Sequence, residues 1–169
     1  FGCSVPTRGP MSNPDSLRSL AQRAEDLGFD SIWVSDHIIL PRQVDSFYPY
    51  AADGVPTFKP DESYYEPLAA LNFLAGCTQR IRLGTHVLIL PYRNPVLTAK
   101  ILSTLDVLSG GRVILGAGVG WMEEEFELLN APPFAERGAV TNEYLRSFIE
   151  LWTKDDPKFE GKYVNFSNI

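Results

Sequence analysis

Trp33-Val34-Ser35-Asp36-His37 closes a hydrophobic run that begins at Phe29, and a long proline- and tyrosine-rich segment follows it. A strand buried in a parallel sheet reads as a near-continuous apolar run, so Phe29 to Ser35 is predicted to be such a strand. An ionisable pair where the run stops projects beyond the carboxyl edge of the sheet. Barrels and open α/β sheets bind their ligands at that edge. Alone, the pair fits two readings. Asp36 caps a turn and His37 is a hydrogen-bonded polar residue at a strand end, or both belong to a site.

The segments on either side repeat one pattern. Cys3 to Pro6 is predicted as a first strand. Asn13-Pro14 then supplies an N-cap with proline at the first helical position, and Leu17, Leu20, Ala21, Ala24 and Leu27 follow at helical spacing until Gly28. A second helix is expected from Tyr65 to Gln79, with Leu68, Leu71 and Ala75 inward. Ile81 to Leu90 reads as the third strand. Asn94-Pro95 repeats the helix start, Ile101, Leu102, Leu105 and Leu108 carry the stripe, and Ser109-Gly110-Gly111 stops it. Val113 to Gly118 is the fourth strand, Glu123 to Leu129 a short helix, and Glu136 to Trp152 a longer one with Tyr144, Phe148, Leu151 and Trp152 on one face. Phe159 to Phe166 alternates around Gly161, as a small hairpin or an extended arm would. Strand and helix alternating in this way imply parallel strands with right-handed crossovers.

A chain of 169 residues suits a single domain, 1–169. Its net charge of −6 comes without a lysine or arginine cluster, which argues against a nucleic-acid partner. No apolar run approaches the ~20 residues of a membrane span, and no basic region followed by an apolar stretch suggests a signal peptide. Cys3 and Cys77 match no metal spacing, and with His37 and His86 as the only histidines no metal site is expected. Two reduced cysteines in a cytoplasmic protein is the simplest account.

The connection after the second strand, residues 38–63, is longer than the ~15 residues beyond which loops are usually functional or disordered. It and the residues just after it hold Phe47, Tyr48, Tyr50, Phe58, Tyr64 and Tyr65. Disordered segments are poor in aromatics, so an ordered cover over a site is preferred to a surface decoration packed by its own rings. Gly116-Ala117-Gly118-Val119-Gly120-Trp121 fails the dinucleotide fingerprint, because Trp121 stands at the third required glycine. Those glycines either admit a flat ligand to the backbone or pack strand closely against helix. Gly84-Thr85-His86-Val87 interrupts an apolar strand, which suggests a bulge, and His86 is a ligand contact or a core histidine. Glu123-Glu124-Glu125 sits where acidic residues complement a helix dipole, the reading favoured for Glu124 and Glu125.

Taken together, Gly28 to His37, Arg80 to Leu88, Arg93-Asn94-Pro95, Leu105 to Arg112 and Gly116 to Trp121 resemble the bacterial luciferase-like monooxygenase superfamily, specifically its coenzyme F420-dependent branch. The resemblance implies an α/β fold, the (β/α)8 TIM barrel, of which this chain supplies about the first four units. It implies F420, or alternatively FMN, at the carboxyl ends of the strands. Thr85, His86 and Val87, with a non-proline cis peptide at or next to His86-Val87, and Ala117, Gly118, Val119 and Gly120 would bind that cofactor. It places Asp36 and His37 by the reactive ring face as catalytic residues. Two departures stand out. Half of the barrel and most phosphate contacts lie outside these residues, and Trp121 occupies the place where some relatives carry a catalytic glutamate.

The implied chemistry is hydride transfer between F420 and a small organic substrate. His37 would give or take the proton, since a histidine's ordinary pKa of ~6.5 suits both. Asp36 would orient His37 or contact the cofactor. A reduced-FMN, O2-dependent monooxygenase is the nearest alternative, and a non-catalytic flavin-binding subunit another. The complete protein is expected to be a homodimer, and the isolated 169 residues to be inactive.

Overall fold

The first three helices start on one device. Asn13, Glu66 and Asn94 accept through their side chains from the N–H groups of Ser16, Ala69 and Leu97, at 2.9, 2.7 and 3.0 Å. A proline follows each cap, at a position whose N–H would have no partner in the helix. The computed structural model describes residues 1–59 and 61–169; Pro60, within the predicted loop 38–63, lies outside them. In chain order the elements are β1 (Gly2–Ser4), α1 (Pro14–Asp26), β2 (Ser31–Val34), α2 (Pro67–Cys77), β3 (Arg82–Thr85), β4 (Leu88–Ile89), α3 (Pro95–Ser109), β5 (Val113–Ile114), β6 (Ala117–Gly118), α4 (Glu123–Leu128), α5 (Arg137–Thr153), β7 (Phe159–Glu160) and β8 (Asn165–Phe166).

β1, β2, β3 and β5 form a parallel sheet in that order. Alternation along β2 sends Ile32 and Val34 to the helix side, where they join Leu17 of α1, Leu71 and Leu74 of α2, and Leu83 of β3 in one core. Each such side chain, fully buried, contributes roughly 1.5–3 kcal/mol. Trp33 takes the other face. It is the register partner of Gly84, and a Cβ on Gly84 or Gly2 would overlap its indole. The planar ring close to Gly84 is therefore the chain's own.

The predicted third and fourth strands are each broken in two. β3 ends at Thr85, the His86–Val87 peptide is cis, and the strand resumes as β4. β5 likewise gives way to β6, and β4 pairs with β6 in a second parallel ladder. The interruption expected between Gly84 and Val87 is thus present, and its pairing partner breaks beside it. α5 packs on α3 over a second core that includes Leu88, Leu102, Val140, Tyr144 and Phe148. Trp152, placed on the inner face of that helix by its spacing, is 43 % exposed, and its indole N–H donates to the Ala99 carbonyl at 3.1 Å. Leu27, which follows the last residue of α1, and Leu108, next to the end of α3, also lie exposed. The tail is a hairpin, with β7 and β8 antiparallel.

Candidate active site

β2 stops at Val34, and the next three side chains diverge. Ser35 Oγ shares a 2.5 Å hydrogen bond with the Tyr64 hydroxyl. The Asp36 carboxylate is buried and accepts from both Arg93 guanidinium nitrogens, at 2.6 and 2.8 Å, and from the Ile89 N–H at 2.8 Å. Burial pushes this carboxyl above its ordinary value, against the pull of Arg93 and the Ile89 N–H, and nearby Glu125 adds to the rise. Burial acts to lower the Arg93 pKa, but Asp36 and Glu66 outweigh it, so Arg93 stays protonated. Asp36 therefore ties the end of β2 to β4, and no hydrogen bond joins it to the His37 ring among the described residues.

His37 finds a different carboxylate. Its Nδ1 lies 2.7 Å from Glu125 Oε2, and the other Glu125 oxygen accepts from the Ile38 and Ile39 N–H groups at 2.7 and 3.1 Å. Glu125 is completely buried, while the His37 side chain keeps 12 % of its surface exposed. Burial, then the adjacent Glu125 carboxylate, push the Tyr92 phenol far above the tyrosine range, so it stays neutral. Aromatic rings enclose the imidazole, with centroids at 5.4 Å for Tyr64, 5.7 Å for Phe58 and 6.2 Å for Trp121. Tyr48 in turn packs on Trp121 at 5.0 Å.

Glu124 and Glu125 do occupy the first turn of α4, yet their carboxylates reach into the loop. Glu124 accepts from the N–H groups of Asp45 and Ser46, at 2.6 and 2.9 Å, and from the Ser46 hydroxyl at 2.7 Å. The dipole reading covered the location and missed these bonds. Glu125 and Arg93 are the two charged groups that sequence reasoning did not bring to the strand ends. Trp121, at the place where the resemblance puts a glutamate in some relatives, supplies part of the aromatic wall, and the carboxylate that meets His37 is Glu125.

The residues expected to bind cofactor separate into two sets. Thr85 is buried, and its hydroxyl bridges the Gly116 carbonyl and N–H at 3.0 and 3.1 Å. Ala117 and Gly118 form β6, where a Cβ on Gly118 would overlap the Val87 side chain. His86, Val87 and Val119 are exposed, although Thr85 and Leu88 on either side of the cis peptide are buried. Gly120 lies half-buried just beyond. The tight strand-to-strand contact and an accessible apolar surface therefore occur together. Among the described residues no group of three or more His, Cys, Asp or Glu side chains is arranged to hold a metal. Among the described residues no helix is long and apolar enough to cross a membrane.

An F420-dependent glucose-6-phosphate dehydrogenase of Amycolatopsis mediterranei is 37% identical over 153 residues, 89% of this chain and 41% of the relative. A protein of the same name from Kineococcus radiotolerans is 36% identical over 154 residues, 90% of this chain and 41% of the relative. The crystal structure of a monooxygenase from Streptomyces bottropensis superposes on all of this chain and 47% of its own, with a TM-score of 0.74 and 25% identity. The chain thus spans less than half the length of each. The parallel sheet and its helices are part of a luciferase-like TIM barrel. The model of the luciferase-like monooxygenase family matches residues 1–169, and the chain belongs to that family.

Proposed function

We propose that these residues form the ring-binding half of an F420-dependent oxidoreductase, with His37 handling the proton of the reaction. The observation that carries this reading is the His37–Glu125 pair, set at the carboxyl end of β2 within a wall of Tyr64, Phe58 and Trp121. Relatives at 37% and 36% identity whose names give F420 dependence support the choice of cofactor.

The residues present fit a flat deazaflavin. Val87 and Val119 are each 42% exposed, with His86 exposed beside them, and Gly118 admits Val87 where any larger residue would displace it. Val87, Val119 and His86 would carry one face of the ring, framed by Thr85, Ala117, Gly118 and Gly120. When bound, the deazaflavin supplies a two-electron hydride acceptor or donor, as cofactors of this class do. Conversion between an alcohol carbon and a carbonyl then leaves one proton for the protein, and His37 is the group placed to take or return it. Asp36 holds the strand end through Arg93 and Ile89, and the loop rings shield the site from water.

The test is an anaerobic F420 assay on the protein expressed from its full coding sequence, with small alcohols and sugar phosphates as substrates. His37→Ala should lower kcat by ~10²-fold or more. An unchanged kcat at saturating cofactor excludes the proton-transfer role. A reduced-FMN, O2-dependent monooxygenase is the second reading, favoured by the likeness to the Streptomyces monooxygenase.

A further inference from the structure

We propose that Glu125 is the positioning residue that fixes which nitrogen of His37 faces the site; this deepens the reading above and rests on it. Glu125 is fully buried, and each of its oxygens is committed. Oε1 accepts from the Ile38 and Ile39 N–H groups, and Oε2 lies 2.7 Å from His37 Nδ1. A carboxylate offers acceptors alone, so Nδ1 must carry the hydrogen. In the neutral imidazole the lone pair is then on Nε2, at the opposite edge of the ring. Among the described residues Nε2 makes no hydrogen bond, and the ring retains 12% of its surface. Nε2 is the atom left to meet a substrate hydroxyl.

The chain builds this arrangement from a distance of 88 residues, by returning α4 beneath the loop that follows β2. The two amide bonds on Oε1 matter because they fix the orientation of the carboxyl group. Glu125 cannot turn its second oxygen away from Nδ1 without abandoning Ile38 or Ile39. The same carboxylate therefore sets the loop and the imidazole together. In the oxidative direction the substrate O–H bond breaks and its proton goes to the Nε2 lone pair. A bound deazaflavin would be the two-electron acceptor for the carbon's hydride as the alcohol becomes a carbonyl, and the imidazolium would keep its Nδ1–H bond to Glu125.

Glu125→Gln separates positioning from scaffolding. Its carbonyl oxygen keeps the Ile38 and Ile39 N–H bonds, which directs the amide NH2 at Nδ1. A donor there forces the hydrogen onto Nε2 and removes the base. The measurement is the 15N spectrum of histidine-labelled protein from the full coding sequence, at a pH where the imidazole is neutral, with His37→Gln identifying the His37 signals. The wild type should show a protonated Nδ1 and an unprotonated Nε2, and Glu125→Gln should reverse them. In the F420 assay Glu125→Gln should lower kcat by about 10²-fold or more, with KM changed by less than about threefold. A protonated Nε2 in the wild type overturns the proposal, and that spectrum requires no variant to fold. An unchanged tautomer, or a reversed tautomer with wild-type kcat, also overturns it. If His37→Ala keeps wild-type kcat, the proton-transfer reading itself falls, a result that the tautomer measurement does not share.

Discussion

Asp36 and His37 are neighbours in sequence and take separate partners in space. Asp36 engages Arg93, and His37 engages Glu125. Asp36→Ala would leave the Arg93 guanidinium, 11% exposed, with Glu66 as its remaining carboxylate partner. Removing one member of a buried pair typically costs about 3–5 kcal/mol, and Glu66 places the expectation near the lower end. Urea unfolding of the variant should show a loss of about 3 kcal/mol; a loss under about 1 kcal/mol would mean that the pair does not hold the strand end. At this scale the sequence revealed one half of the site. Asp36-His37 stands out because it ends an apolar run. Glu125 does not, because three acidic residues at a helix start already have a local explanation, and no periodicity links residues 88 positions apart. Arg93 is concealed in the same way by the Asn94-Pro95 helix start beside it.

Elements were easiest to read where a local device specifies them. Asn13-Pro14 and Asn94-Pro95 set the starts of α1 and α3 where expected. The breaks between β3 and β4, and between β5 and β6, were only partly visible. Gly84-Thr85-His86 signals an interruption, but Val113 to Gly118 is uniform enough to pass for one strand. Its break follows from pairing with an already broken neighbour. A further junction joins α1 to β3. Glu25, in the last turns of α1, accepts from the N–H groups of Gln79, Arg80 and Ile81, at 2.9, 2.5 and 2.8 Å. Burial works to raise its pKa, but these amides outweigh it and hold the carboxyl below its ordinary 4.5. The stabilisation is therefore full above pH 4.5 and is lost as pH falls through the lower folded-state value. Glu25→Gln should lower the urea midpoint at neutral pH and narrow the gap between neutral and acidic midpoints. An equal drop at both pH values would show that the carboxylate's charge is not what holds the junction.

For the molecule as a whole, the alternation of strand and helix made the parallel sheet legible, and the five resemblance segments made the barrel family legible. The position of the candidate site also follows from the topology, since His37 follows the end of β2, Val87 the end of its neighbour β3, and Val119 the end of β6. Two hollows, of about 490 Å³ beside α3 and α5 and about 240 Å³ between α1 and α2, have no His37 in their linings. The carboxyl edge, by contrast, exposes Val87 and Val119, each by 42%. The most direct test of the account is a titration of F420 and of FMN into the protein expressed from its full coding sequence. F420 should saturate at micromolar concentrations, with FMN at least about tenfold weaker. Saturation by FMN with no measurable F420 binding would contradict the account.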